Sequence, residues 1–197
     1  MNTGDTAFMI ISAALVFFMT PGLAFFYGGL VRRKNVCNTM MACVAIMGIS
    51  VVMWALFGYS LSFGGNHGGI IGDFRWLGLN GVGMEAGPYA DNIPHLVFCA
   101  FQMMFAMITP ALITGSLVGR MRFKALFLFV ALWSIIVYYP LAHMVWGEGG
   151  FLAAIGSVDF AGGDVVHISS GISAVVLAVI LGRRRGYEHT TYRIHNI

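Results

Sequence analysis

Charge is scarce in this sequence. Eleven Lys/Arg and 8 Asp/Glu amount to 10% of 197 residues, where a soluble domain carries about a quarter. Cysteine is equally thin. Cys37, Cys43 and Cys99 are odd in number, form no CxxC pair and lie in or beside apolar runs. They read as small packing residues, not as a disulfide framework or a zinc site. No HExxH or nucleophile motif occurs, so neither an enzyme nor a cofactor or metal centre is expected. Short alternating segments, the mark of a transmembrane barrel, are missing too. No low-complexity tract breaks the chain. No basic stretch precedes the first apolar run, which is too long for the core of a cleaved signal peptide. The net charge is +3, but the basic residues form three tight clusters. That distribution fits loop ends at a membrane surface and excludes a nucleic-acid-binding face.

What fills the sequence is apolar: 58% hydrophobic residues, with Gly 26, Phe 16 and Met 13, and a mean hydropathy of +0.82. Five runs stand out: Phe8–Val31, Thr39–Phe63, Leu96–Gly119, Ala125–Val145 and Asp164–Gly182. Each has about the length that crosses a hydrocarbon core of about 30 Å. Backbone polar groups in lipid need internal partners, so the runs are expected to be helices. The fold class is therefore an all-α polytopic membrane protein with five transmembrane helices. The Gly-rich segment Gly64–Pro94 is expected to cap the outer face as an ordered loop with a short helix.

Charge sets the orientation. Arg32, Arg33 and Lys34 follow the first run, Arg120, Arg122 and Lys124 the third, and Arg183, Arg184, Arg185 and Arg193 the fifth. By the positive-inside rule these ends are cytoplasmic and the N-terminus lies outside. Arg75 is the exception. Seven acidic residues, among them Asp5, Glu85, Glu148 and Asp159, fall on or near the other side. An odd number of spans places a following copy of the same unit upside down, the arrangement of inverted-repeat transporters. The sequence stops at Ile197 in a polar segment where a sixth span would begin, as expected of a fragment.

The fifth run carries most of the chemistry. With His167 as the zero of a helical wheel at 100° per residue, Gly163, Asp164, Ser170, Gly171, Ala174 and Ala178 fall within about 60° of it. Val165, Ile168, Ile172, Val175, Val176 and Val179 lie on the far side. An ionisable residue inside a span is by default a functional candidate; the plain alternative is a buried imidazole bonded to a neighbouring helix. A neutral imidazole donates one hydrogen bond and accepts one, which suits a pathway for a small hydrogen-bonding molecule. Asp159 has two compatible readings: it accepts backbone N–H groups at a helix start, or its charge favours a cation. Asp164 reads as a helix-start charge. Phe98, Phe101 and Phe105 share a face with Gln102, in a stripe that is usually packing. Gly115 and Gly119 form a small-xxx-small pair. Trp146 is either an interfacial anchor or one wall of a cation–π site. Pro21-Gly22 is expected to kink the first helix or pack it closely.

These residues bring a resemblance. Pro21-Gly-Leu-Ala-Phe-Phe-Tyr-Gly-Gly-Leu-Val-Arg-Arg-Lys-Asn35, Phe101-Gln-Met-Met-Phe-Ala106, Leu141-Ala-His-Met-Val-Trp-Gly147 and Asp159-Phe-Ala-Gly-Gly-Asp-Val-Val-His-Ile-Ser-Ser-Gly171 are similar, in order and orientation, to the first, third, fourth and fifth helices of the Amt/Mep/Rh ammonium transporters. The tryptophan favours the Amt branch. The resemblance implies eleven helices, ten of them in two inverted five-helix repeats, and a homotrimer with one pore per subunit in the cell membrane. This chain resembles the first repeat only. By motif match, Trp146, Phe105, Phe101 and Asp159 bind ammonium (or methylammonium) at an outer site, and Phe105 is part of a phenylalanine gate. His167 is one of two pore histidines, and Phe26 and Tyr27 lie near the inner pathway. The resemblance also implies a PII-type regulatory protein as a partner on the cytoplasmic face. The rival readings are an intramembrane metalloenzyme using His143, His167 and Asp164, an ammonium sensor, and an inactive truncated half.

Overall fold

The five apolar runs form five helices long and apolar enough to cross a bilayer: Thr3–Leu30, Arg33–Phe63, His95–Leu117, Phe123–Ala154 and Gly163–Leu181. The chain is a multi-pass membrane protein. The structure, a computed structural model, describes residues 1–184, 187–188 and 193–196. Arg185, counted above with the cytoplasmic cluster, and Ile197 lie outside the described residues.

The first span opens on Asn2, whose Oδ1 accepts the N–H groups of Gly4 (2.8 Å) and Asp5 (3.3 Å). Two of the free N–H groups at the helix start are satisfied in this way. The helix runs on through Pro21 to Leu30 without a break in its assignment. Nothing lies within 4 Å of a Cβ built on Gly22, so the close packing expected there is not made. It occurs one and a half turns later instead, where Gly28 is buried against Met40 and Val36. The Gly115–Gly119 pair is also corrected. Gly115 lies under the Tyr27 ring, but the helix ends at Leu117, and Gly119 has φ +70°, which reverses the chain after the helix. Its role is that of a helix terminator, which favours glycine because no Cβ is present.

The third span is the hub and packs against the first, second and fifth. Its central residues Ala106, Met107, Ile108, Ala111 and Ile113 are buried. The second and fourth spans pair through their C-terminal halves, and each carries one π-helical turn at the contact, Trp54–Gly58 and Ser134–Tyr138. Widened turns of this kind shift the side chains that follow around the helix axis. Here they bring Tyr139 over Gly58, so that a Cβ on Gly58 would stand 2.6 Å from Tyr139 Cζ. Trp54 Nε1 donates to the Cys99 carbonyl (3.2 Å). The Tyr59 hydroxyl meets His95 Nε2 at 2.5 Å. Both bonds fix the outer half of the second span to the third.

The outer segment is ordered by its own bonds. Strands β1 (Ala86–Gly87) and β2 (Ala90–Pro94) pair antiparallel, and a single 3₁₀ turn covers Leu77–Leu79. Trp76 stacks on Tyr59 at 5.3 Å, and its main-chain N–H donates to Ser60 Oγ (2.9 Å). The Tyr89 hydroxyl donates to the Phe63 carbonyl (2.8 Å). Asn66 Nδ2 donates to the Gly149 carbonyl (2.9 Å), tying the segment to the non-helical break between Trp146 and Phe151 in the fourth span.

Two glycines in helical backbone thus meet opposite surroundings. Gly58→Ala must push the Tyr139 ring aside and is expected to cost about 1–3 kcal/mol, the usual penalty of overpacking. Gly22→Ala meets open space and is expected to be neutral or to stabilise by up to about 1 kcal/mol. Thermal unfolding of the two variants in detergent checks the contrast; equal melting temperatures would remove this account of the contact between the second and fourth spans.

Candidate functional site

The start of the fifth span organises both candidate regions. Asp159 precedes it, and the left-handed Gly162 (φ +87°) turns the chain into the helix. Asp159 Oδ1 accepts from Gly162 N (2.6 Å) and Gly163 N (2.8 Å), and Oδ2 accepts from Asp164 N (2.8 Å) and Val165 N (3.1 Å). All four donors at the helix start therefore converge on one carboxylate. Partial burial works to raise the Asp159 carboxyl, but the N–H groups of Val165, Gly163, Asp164 and Gly162 outweigh it and hold the group below the usual carboxylate range. Of the two readings of Asp159, the capping one is made directly. Asp164 accepts from Ser157 Oγ (2.9 Å).

The same residue holds the indole. Trp146 Nε1 donates to the Asp159 main-chain carbonyl (2.9 Å), so the ring cannot turn without losing its partner. Phe105 stands 6.0 Å from Trp146, centroid to centroid, and Phe101 packs edge-on against Phe105 at 5.0 Å. Trp146, Phe105, Phe101 and Asp159 line one hollow of about 390 Å³. The structure thus brings together the four residues that the motifs single out for the outer site. Two further polar side chains join the lining, neither singled out by the motifs as a site residue: Tyr89, stacked on Phe98 at 5.1 Å, and Gln102. The Tyr89 hydroxyl is already engaged, donating to Phe63 O and accepting Glu148 N (3.2 Å). Gln102 Oε1 is buried and has no hydrogen-bond partner among the described residues. No periodicity marks Tyr89, because a hairpin turn delivers it from the outer segment.

His167 occupies a second hollow, of about 530 Å³, with Tyr27, Ser116, Ser170 and Gly171 among its walls and Leu30, Leu112 and Ala174 between them. The Tyr27 hydroxyl donates to the Leu112 carbonyl (3.0 Å). Phe26 is 59% exposed, touches Tyr27 at 5.8 Å and lines neither hollow. The two hollows share no lining residue, so in this chain they are separate.

The two faces of the wheel stay apart across the π-helical turn Gly163–Ile168. Val165, placed by the wheel on the face away from His167, is fully buried (0% exposed) together with Val166. Beyond the turn, Ile168, Ile172, Val175, Val176 and Val179 are exposed, and Ser170, Gly171 and Ala174 stay with the imidazole. The proposed metal trio is not assembled. His143 is fully buried, with Nδ1 at 3.1 Å from the Ser62 carbonyl and Nε2 at 3.4 Å from Asn66 Oδ1. Among the described residues no three metal-ligating side chains converge.

The comparisons with known proteins agree on one family. The model described as Ammonium Transporter Family matches residues 7–197. A Bacillus subtilis protein named ammonium transporter is 50% identical over 197 residues, which are 100% of this chain and 48% of that protein. The crystal structure of Candida albicans Mep2 superposes with a TM-score of 0.85 at 31% identity, covering 98% of this chain and 43% of the other. A solved structure titled Sensor Amt Protein gives 0.82 at 27% identity, covering 97% and 48%. The chain spans about half the length of the curated relatives it matches.

The Asp159 geometry carries a pH consequence. The fold prefers the ionised carboxylate. Its contribution is complete above the unfolded value of about 3.9 and is lost as pH falls through the lower folded value. The expected outcome is that wild type loses melting temperature between about pH 5 and pH 2, while Asp159→Asn, which keeps one acceptor oxygen and no charge, starts lower and changes less. Asp159→Ala, without any acceptor, is expected to be the least stable at neutral pH, by about 0.5–2 kcal/mol. Parallel pH profiles for wild type and Asp159→Asn would contradict the assignment.

Proposed function

The chain belongs to the ammonium transporter family, and on that premise we propose that it builds one half of a transmembrane ammonium pathway. The observation that carries the reading is the joint placement of Trp146, Phe105 and Phe101 around one outer hollow, with an imidazole in a separate, largely apolar groove. Ammonium at the mouth is held by aromatic faces, each worth about 0.5–2 kcal/mol to a cation. Asp159 sets the field there. Its charge is shared with four N–H groups and with the positive end of the fifth helix. Its larger contribution is therefore to fix the helix start and the Trp146 ring. Carrying a bare cation onward through hydrocarbon costs tens of kcal/mol in the Born limit; the neutral amine avoids most of that. The proton is given up to water at the mouth, and ammonia passes the Phe105 gate to the groove of His167. Potassium has no proton to lose and stops outside. Tyr27, with Phe26 beside it, borders the inner end.

The remaining features of the proposal concern the whole assembly. An inverted second five-helix unit supplies the facing wall and the second histidine, and three copies associate in the cell membrane. The N-terminus lies outside, and the basic clusters face the cytoplasm, where a PII-type protein docks. A second reading, an ammonium sensor with a transporter-like core, is favoured by the likeness to the structure titled Sensor Amt Protein.

Proteoliposomes of the intact protein separate the two readings. Uptake of labelled methylammonium that ammonium inhibits and potassium does not is expected of a transporter; specific binding without flux is expected of a sensor. His167→Ala is expected to abolish selective uptake. Trp146→Leu is expected to raise the half-saturating concentration about 2- to 30-fold, the worth of one cation–π wall. Unchanged selective uptake by His167→Ala would sink the proposed conduit.

A further inference from the structure

A helix end leaves its last carbonyls to be satisfied from outside. In the second span those bonds lead to a histidine that the proposed pathway does not use. The helix closes at Phe63. Ser60 O accepts from Gly64 N (2.7 Å) and Leu61 O from Gly72 N (2.6 Å), so the chain that follows closes two carbonyls. Side chains from elsewhere close the other two. Phe63 O accepts from the Tyr89 hydroxyl (2.8 Å), and Ser62 O lies 3.1 Å from His143 Nδ1. A carbonyl can only accept, so Nδ1 carries the proton and Nε2 of the neutral ring has none to offer. Nε2 faces Asn66 Oδ1 at 3.4 Å. That amide cannot turn round, because Oδ1 accepts from Gly69 N (2.6 Å) and Nδ2 donates to Gly149 O (2.9 Å). The working bond of the imidazole is the one to Ser62.

His143 stands about one turn before Trp146, the last residue of its helix. The chain leaves that helix across the ring: a Cβ built on Gly147 would stand 2.5 Å from Nδ1. Just beyond, Glu148 N donates (3.2 Å) to the same Tyr89 hydroxyl that closes Phe63. The ends of the second and fourth spans are thus tied before Trp146 by His143 and after it by Tyr89. Phe63, Tyr89 and Trp146 all line the aromatic hollow. A buried histidine that only capped a helix would contribute stability and nothing else. This one also holds two walls of a candidate site in register. An aromatic face attracts a cation only within about 6 Å of the ring centroid, so the spacing of the walls decides the affinity.

We propose that His143 is a positioning residue of the cation site: its bond to Ser62 sets the distance between the Trp146 wall and the wall made by Phe63 and Tyr89. The inference rests on the reading of this hollow as an ammonium site and adds the residue that sets its width.

Equilibrium binding of labelled methylammonium to the intact protein, with uptake into proteoliposomes alongside, tests the role. His143→Leu fills the space without a donor. It is expected to raise the half-saturating concentration about 2- to 30-fold, the worth of one cation–π wall, with maximal uptake unchanged. His143→Asn places its Nδ2 where Nδ1 stood and is expected to restore the wild-type value. A purely structural ring would move the melting temperature and leave the half-saturating concentration alone. In His143→Leu/Trp146→Leu the rise is expected to be no larger than in Trp146→Leu, because the imidazole acts through the indole. A wild-type half-saturating concentration in His143→Leu, a His143→Asn as impaired as His143→Leu, or multiplied effects in the double variant would each overturn the assignment. If His143→Leu does not fold, His143→Gln, whose amide donor sits one bond further out, takes its place with the same expectations. Binding without flux in wild type would overturn the transport reading alone; neither binding nor flux in wild type would overturn both.

Discussion

In hydrocarbon no water satisfies a backbone N–H, so a helix that begins near the membrane must bring its own acceptor. Asp159 answers that constraint for the fifth span with two carboxylate oxygens shared among four donors. Because this helix start is partly exposed, losing the carboxylate costs about 0.5–2 kcal/mol in all. The consequence reaches further than the helix start, because the same residue accepts the Trp146 indole through its main-chain carbonyl. The outer aromatic wall and the element that carries His167 are thus hung on one residue. A charge in that place is explained by positioning before any contact with a cation is invoked.

The second recurring device is the widened turn. Three of the five spans contain a π-helical segment, at Trp54–Gly58, Ser134–Tyr138 and Gly163–Ile168. The first two meet across the contact where Tyr139 covers Gly58. The third re-aims the fifth span so that Val165 and Val166 enter the core while His167 stays on the open face. A widened turn weakens the regular carbonyl pairing, and the serines that follow offset this. Ser169, Ser170 and Ser173 donate to the carbonyls of Val165 (2.5 Å), Val166 (2.5 Å) and Ser169 (2.7 Å). The Ser-Ser-Gly-Ile-Ser run thus serves the backbone of the helix as well as the small face beside the imidazole.

These devices mark the boundary of what the sequence reveals. The five helices and their all-α class are legible because apolar runs of bilayer length have few other solutions. The gathering of Trp146, Phe105, Phe101 and Asp159 is legible only through motifs, since they come from three separated segments and no periodicity joins them. The π turn at Gly163–Ile168 goes unseen because it leaves no composition signal. Gly22 and Gly119 look like packing glycines, yet one meets open space and the other ends a helix. Glycine marks a freedom without saying which use is made of it. Tyr89 escapes notice for a related reason. It reaches the outer hollow from a hairpin in the longest loop, and loop geometry rests on turn bonds that hydropathy does not report.

The constraint that governs the backbone applies to side chains as well. His167, with Ser170 and Gly171 beside it, borders a groove that this chain leaves open. An imidazole facing acyl chains would have neither of its two hydrogen-bonding nitrogens satisfied, a cost of the same kind that Asp159 removes at the helix start. The groove therefore requires a cover that is polar where it meets the ring and apolar elsewhere. In the proposed assembly, the inverted second five-helix unit presents its own fifth span from the opposite side. The proposed second histidine then stands where the first needs a partner. On this argument the paired imidazoles of the proposed conduit follow from the same rule as the cap: a polar group held in the membrane is tolerated where the fold supplies its complement.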